Sequence, residues 1–562
     1  MKLRRGILSV LTAVLVAGLL TACAGLPQSG QAQVGLRLND QAPDTDFALV
    51  PEGPQPQATR EQIVAGFLRA GSGTADSWAT AQEFLTPTLK KTWQPSASVT
   101  IDRPESDRSI AVTDSGEVKV TLSPIATIGE TGIYESADGS LTNLTFDLVR
   151  NEGQWRISQA PDGVVLNRDV FSQVFHQYAL SYFDTQFRYL VPDVRWFPSS
   201  NATTRIASAL IDGEPSSWLA ETVANAFPDS VALSTPSVPI EAGVAQVSLS
   251  QAALSLDGDT LNRIKTQLHE SLSGVGVTDV QLLYGSTPLQ ASLVAEVSTR
   301  VPSQALVLTE AGFGFSSGDD LEAIPGLSEV MLTLNPVPNA IEVAASQTTA
   351  AARLKDGSVM RVESSGDVIQ VDGRGGLLAP TIDPFGFIWT VPKSDPSAVV
   401  AASPDIRQSV AEAWSGVTEI LAISRSRDGS RMVASVQLGS TSALWAAGVI
   451  RDPDGVPLRL GPPVTLTDLD APATAVGWLD GVTVGALFGS GDNRTFLEQM
   501  VGGPGTMIAA PPDAASISGS TAAQNVRLWG SEGGLYSRRA QNWLQRLTGV
   551  QVLATQQGIP AQ

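Results

Sequence analysis

Arg427-Asp428-Gly429-Ser430-Arg431-Met432-Val433 is an acidic-glycine turn that feeds directly into a strand-forming run. An Asp-Gly pair supplies the positive φ values a tight hairpin needs, so the stretch predicts strand, turn, strand. The same pattern returns in Lys355-Asp356-Gly357-Ser358-Val359-Met360, Asp383-Pro384-Phe385-Gly386-Phe387-Ile388-Trp389, Leu479-Asp480-Gly481-Val482-Thr483-Val484 and Glu532-Gly533-Gly534-Leu535-Tyr536. The turn glycines at 357, 386, 429, 481 and 533 are separated by 29, 43, 52 and 52 residues. A four-stranded propeller blade takes roughly 40–50 residues. Residues 336–562 are therefore expected to be all-β and a β-propeller, with the short first separation marking an incomplete or shared blade. A pair of β-sandwiches is the competing arrangement.

Upstream, residues 203–308 read as an α+β unit. Helices are expected at 204–211, ending at Asp212-Gly213, at 218–227, stopped by Pro228, and at 260–272, closed by Gly274; strands are expected at 244–249, 279–284 and 291–297. Residues 309–335 read as a linker, and its Gly314-Phe315-Ser316-Ser317-Gly318 as a flexible turn. The densest aromatic stretch precedes the unit, in a connecting segment at 166–202: Phe171, Phe175, Tyr178, Tyr182, Phe183, Phe187, Tyr189, Trp196 and Phe197. It is expected to be a β-rich hinge or first strand packed between two domains, or else an aromatic surface for a partner.

Residues 57–165 form a further α+β unit. Thr59-Arg60-Glu61-Gln62 is a capping-box start before Ile63, Val64, Phe67 and Leu68 on one helical face. A second helical stretch holds Trp78, Ala81, Phe84 and Leu85 and stops at Pro87. Strands at 98–102, 117–122, 142–149 and 155–157 follow, separated by glycine turns.

The first residues are an export signal. Lys2, Arg4 and Arg5 precede an apolar run from Ile7 to Leu20, which is shorter than the ~20 residues needed to span a bilayer. Leu20-Thr21-Ala22-Cys23 resembles the lipobox of bacterial lipoproteins. That resemblance implies cleavage after residue 22, with residues 1–22 as signal peptide, acylation of Cys23, and residues 23–56 as a Gln-, Gly-, Pro- and Asp-rich tether. One acyl chain holds a protein to a membrane only marginally, whereas two or more hold it stably.

Composition narrows the chemistry. The formal charge is −20, from 56 acidic and 36 basic residues, which argues against nucleic acid as a partner. Cys23 is the only cysteine, so no intrachain disulfide forms. No cofactor or metal is expected, since no zinc-protease or phosphate-loop motif occurs. The Gly-x-Ser-x-Gly around Ser316 is not read as a nucleophile elbow, because both histidines, His176 and His269, precede it. His269 and Glu270 are adjacent rather than four apart on their helix, so His269 is read as a helix residue and His176 as a packing residue. Asp428 and Asp480 are read as turn residues, and Asp452-Pro453-Asp454-Gly455 as a hairpin rather than a calcium loop. No enzyme activity is expected. A glycan hydrolase would need two carboxylates facing across one cleft.

Two stretches, and the order of the parts, carry family resemblances. "FLRA…WATAQEFLTPTLKKTW…FDLVRNEGQWRISQAPDGV" resembles small NTF2-like domains, in which a curved sheet forms a cone around N-terminal helices. "LIDGEPSSWLAETVANAFPDSVAL…VAQVSLS…LNRIKTQLHESLSGVGVTDVQLLYGSTPL" resembles the GerMN domain, whose strand ends in a Leu-Ser pair, here Leu249-Ser250. With lipobox, tether and propeller-like tail in this order, the chain resembles the actinobacterial LpqB lipoprotein family along essentially its full length. The resemblance implies a lipid-anchored, non-enzymatic protein on the outer face of the cytoplasmic membrane, accessory to a two-component system. Its implied partner is the extracytoplasmic sensor domain of the histidine kinase MtrB, whose response regulator is MtrA. The family supplies no catalytic residues, so only Cys23 carries over. The alternative reading is a cell-wall glycan- or peptide-binding module, with Trp389, Trp445, Trp478, Trp529 and Trp543 as stacking surfaces if exposed and as core if buried.

Overall fold

A computed structural model describes residues 51–74, 77–318 and 320–560. The signal segment, Cys23 and most of the tether lie outside the described residues.

In the N-terminal domain, helix α1 (Arg60–Ala70) begins at Thr59. The Thr59 side chain accepts from the Gln62 N–H, and the Gln62 side chain accepts from the Thr59 N–H. The helix buries Ile63, Val64, Phe67 and Leu68 beside two four-stranded sheets. One is built from Ser98–Asp102, Pro124–Gly129, Tyr134–Ser136 and Val164–Asn167, the other from Ser109–Val112, Val118–Leu122, Thr142–Asn151 and Gln154–Gln159. The expected second helix shrinks to one turn, Ala79–Gln82. Trp78 adopts a left-handed φ of 59° and ties its indole N–H to the Gly71 carbonyl, while Leu85 bridges to Ile157.

The aromatic stretch becomes helix α2 (Arg168–Val174) followed by a long hairpin, Phe175–Asp184 and Leu190–Pro198. It serves two cores. Phe171, Phe175, Val194 and Trp196 pack into the N-terminal domain, whereas Leu180, Tyr182, Phe183, Val191 and Phe197 pack into the next one. The hairpin turn is held by Asp184, whose Oδ1 accepts from the N–H groups of Arg188 and Tyr189.

The second domain packs helices α3 (Ala202–Ile211) and α4 (Gly258–Leu272) with a sheet of Ile240–Glu241, Val244–Ser248, Asp279–Tyr284 and Thr287–Pro288. Two expected elements are corrected here. Residues 218–227 do not form a helix. Val223–Ala224 pairs with the aromatic hairpin, the Asn225 side chain donates to the Leu210 carbonyl, and the Ala226 N–H donates to Gln267. Residues 291–297 do not form a strand. The N–H groups of Ser292 and Val294 are taken by the Asn262 and Thr266 side chains, and that of Val297 by the Arg188 carbonyl. In both segments tertiary partners satisfy the backbone in place of a regular ladder.

The remainder is a ring of six blades. Their inner strands, Pro338–Val343, Thr381–Ile382, Glu419–Arg425, Ala475–Trp478, Ala514–Ser518 and Val550–Gln556, neighbour one another in cyclic order, the last returning to the first. The sixth blade corrects the expected linker. Leu306–Thr309, Gly312–Ser317 and Asp320–Glu322 add to the C-terminal strand Val550–Gln556, so the two ends of the propeller share one blade. Gly314 belongs to a strand and not to a flexible turn. A Cβ there would lie 2.4 Å from the Glu322 carbonyl oxygen, so glycine is required by the approach of the neighbouring backbone. Leu327–Met331 forms a short helix whose Leu327 and Met331 are buried against the same blade.

The glycine turns also sort differently from their spacing. Gly386, Gly429 and Gly481 lie between the first and second strands of their blades, at the end of the ring where inner strands finish. Gly357 and Gly533 lie between second and third strands, at the opposite end. The short separation of 29 residues arises from crossing between ends within consecutive blades and not from an incomplete blade.

Candidate functional site

The turns at the strand-finishing end share a chemical pattern. Asp383 accepts from the N–H groups of Phe385 and Phe387, from the Trp389 indole and from Arg451, the last at 2.7 Å. Asp428 accepts from Ser426, Ser430 and Arg431. Asp480 accepts from the N–H groups of Val482 and Thr483. Each aspartate closes its own turn, and the first two are buried against an arginine. Burial alone would raise the Asp428 carboxyl, but the Arg431 charge and the hydrogen bonds around it hold it below the ordinary range.

The other domains rest on this end of the ring. The Trp196 indole donates to the Gly502 carbonyl at 2.9 Å, Arg431 donates to the Pro192 carbonyl at 3.3 Å, and Gln186 donates to the Asp452 carbonyl at 3.2 Å. Arg188 lies over Phe385, and Val482 and Met500 pack against the N-terminal core. The aromatic hairpin thus touches both α+β cores and the propeller.

Cavities identify what is open. Inside the N-terminal domain Phe67 stands 5.1 Å from Trp93 and 6.0 Å from Phe146, beside a space of about 40 Å³, enough for roughly one water. A larger groove of about 740 Å³ runs outside it, beside Gln62, Arg69, Phe84 and Arg108. In the ring, a cleft of about 1100 Å³ lies beside the closing blade, lined by Glu310, Asp320, Lys355, Glu532 and Arg546. Five of the six inner strands, together with Leu378, Ala379 and Pro380 just before the second blade's inner strand, line a central channel of about 310 Å³. Glu342 crosses between blades in its wall, accepting from Thr381, the Ile382 N–H, Thr555 and Gln557 at 2.6–2.9 Å.

The residues singled out by sequence are dispersed. His269 is half-buried on α4, 3.2 Å from Glu270 and 3.3 Å from the Thr278 carbonyl. His176 sits in the aromatic hairpin opposite Phe197, and Ser316 in the closing blade. Trp389 and Trp478 are buried, and Trp445, Trp529 and Trp543 are half-buried in strands. The indoles of Trp478, Trp529 and Trp543 donate to carbonyls of Ser424, Val550 and Ala509. These tryptophans are packing residues. The channel residues were missed by sequence reading. The available signal was Arg425, two places after the buried Ile423 on the same strand face, where an arginine interrupts an apolar row.

The fold defines a three-domain protein whose two α+β domains stand before a six-bladed propeller closed by its own C-terminal strand. Residues 53–172 match the family described as "Lipoprotein LpqB, N-terminal domain", residues 178–290 "Sporulation and spore germination", and residues 309–554 "Lipoprotein LpqB beta-propeller domain". The chain belongs to the LpqB lipoprotein family. It is 24% identical over 497 residues to lipoprotein LpqB of Bifidobacterium longum, covering 83% of this chain and 81% of that one. It is 25% identical over 517 residues to lipoprotein LpqB of Cutibacterium acnes, covering 85% of each. Among solved structures, TolB from Acinetobacter baumannii overlaps 43% of this chain and 59% of its own, at 14% identity and a TM-score of 0.30. Membership in a lipoprotein family makes this a membrane-anchored extracytoplasmic protein. Among the described residues no helix is long and apolar enough to cross a membrane.

Proposed function

We propose that the chain is a non-enzymatic lipoprotein, anchored through acylated Cys23 to the outer face of the cytoplasmic membrane. In this reading it binds the extracytoplasmic sensor domain of the kinase MtrB and so modulates MtrA signalling. The observation that supports it best is the interlocking of domains through one hairpin, which packs into two cores and hydrogen-bonds to the ring. Tethering confines the protein near its target, so modest affinity suffices. A partner bound with different affinity in its two states shifts its own equilibrium.

The test is a titration of soluble residues 24–562 into the purified sensor domain at physiological salt. Saturable binding at micromolar concentration is expected. Absence of binding at high micromolar concentration overturns the regulatory reading, and retention on purified wall polymer would then favour the wall-binding alternative. In cells, Cys23→Ser is expected to move the protein out of the membrane fraction. If C23S stays with the membrane, the anchor lies elsewhere.

A further inference from the structure

The central channel has an unusual charge for so acidic a chain. Its wall carries three arginines, Arg353, Arg425 and Arg427, and one carboxylate, Glu342, whereas the whole chain bears −20. Among the described residues no carboxylate lies within ion-pair distance of any of the three. The acids nearest to Arg425 and Arg427 are committed elsewhere. Asp383 pairs with Arg451, Asp428 pairs with Arg431, Asp480 closes its turn, and Glu342 already accepts four hydrogen bonds.

The arginines also retain unused donors. A guanidinium carries five N–H groups. Arg427 donates to the Ser520 carbonyl alone, and Arg353 only to the Asn339 side chain and the Leu377 carbonyl. Arg425 is buried, bonded to the Ser426 and Ile382 carbonyls and Gln557, and its Nε has no partner. Two further buried polar atoms in the same wall, Ser516 Oγ and Gln556 Oε1, are likewise unpartnered. Among the described residues three of the eleven buried unpartnered side-chain atoms belong to this wall, and the unused guanidinium donors are the feature that points to a ligand. At about 310 Å³ the channel falls at the small end of ligand sites.

We propose that the propeller channel is a binding site for a small organic anion, a carboxylate or phosphate ester, held by Arg425 and Arg427 at the end where the inner strands finish, with Arg353 lining the other mouth. Arginine suits this task because its planar fork matches both oxyanions. Burial pushes Arg425 and Arg353 down and Arg427 down to about 10, a penalty that an incoming anion reverses. Arg425 and Arg427 stand at the end where the aromatic hairpin rests. Arg353 and Asn339 stand at the other end, where the inner strands begin.

The site is independent of the kinase reading and is tested without it. Soluble residues 24–562 are titrated by calorimetry with inorganic phosphate and, separately, succinate, at constant ionic strength in chloride, with uncharged succinamide as control. One saturable site for at least one anion, and none for succinamide, is expected. Tighter phosphate points to a phosphate ester and tighter succinate to a carboxylate. Arg427→Gln and Arg425→Gln, at the same end of the channel, are each expected to weaken binding about tenfold or more, the usual loss for a charged hydrogen bond. Arg150→Gln, on the N-terminal domain, should change nothing. Circular dichroism confirms that each variant is folded, and either channel variant alone suffices if the other is not. No saturable binding of either anion at 10 mM, about the weakest range a built site would occupy, or binding unchanged in a folded channel variant, overturns the proposal.

Discussion

A soluble chain ending at Thr548 is expected to lose the whole ring and not merely its last strand. The missing strand, Val550–Gln556, is the innermost of the closing blade and pairs with Leu306–Thr309 on one side and with Glu342 and Val343 on the other. Val550, Val552 and Leu553 are 2%, 3% and 5% exposed. Burying a Val or Leu side chain contributes about 1.5–3 kcal/mol, so these three alone supply roughly 5–9 kcal/mol, comparable to the about 5–15 kcal/mol that holds a typical domain together. Truncation also strips Glu342 of the Thr555 and Gln557 donors, leaving a buried carboxylate half satisfied. Urea unfolding and gel filtration of residues 24–548 against 24–562 check this. The expected result is loss of the propeller's cooperative transition, with aggregation through the opened blade edge. Removal of residues 559–562 alone, which lie beyond the strand, should leave the midpoint unchanged. A 24–548 chain that unfolds at the full-length midpoint would show that the ring does not need its closing strand.

That closing strand is also where sequence reading stops working. Local signals were legible wherever cause and effect sit close together. Thr59 and Gln62 are three residues apart and form the capping box they spell, and Asp428-Gly429 makes the turn its dihedral preference dictates, with Gly429 at φ 82°. The aromatic run at 171–197 announced a buried element. The sixth blade gave no such signal, because its strands come from residues 306–322 and 550–556, and no spacing rule within either segment joins them. Gly314 looked flexible since its need for glycine is set by the Glu322 backbone after folding. Residues 218–227 have helical periodicity, yet Gln267 and the Leu210 carbonyl, both distant in sequence, capture their polar groups. The channel follows the same logic. Arg353, Arg425 and Arg427 form no motif, and only the ring brings them around one cavity.

Arg431→Ala is expected to be among the most destabilising single substitutions in the propeller, and its defect should shrink in acid. The Arg431 side chain is 1% exposed, 2.6 Å from Asp428, over the Trp478 ring at 4.6 Å and bonded to the Pro192 carbonyl. Removing it leaves Asp428 buried without its counter-charge. Breaking one partner of a buried pair typically costs about 3–5 kcal/mol, more than the pair itself contributes. The sign with pH separates this cause from lost packing. In the native chain the Asp428 carboxyl is held below its ordinary range, so the pair's stabilisation is present above the unfolded value of about 3.9 and is lost as pH falls through the lower folded value. In Arg431→Ala the burial that opposes ionisation is no longer offset by the arginine, the folded carboxyl rises, and the penalty is largest at neutral pH. Urea midpoints of both proteins at pH 7 and pH 4 should therefore converge on acidification. Arg431→Met combined with Asp428→Asn, which removes both charges while keeping bulk beneath Trp478, should recover more than half of the loss at pH 7. A gap between wild type and R431A that stays constant from pH 7 to pH 4, with no recovery in the double variant, would assign the loss to packing and the Pro192 contact instead of the buried charge.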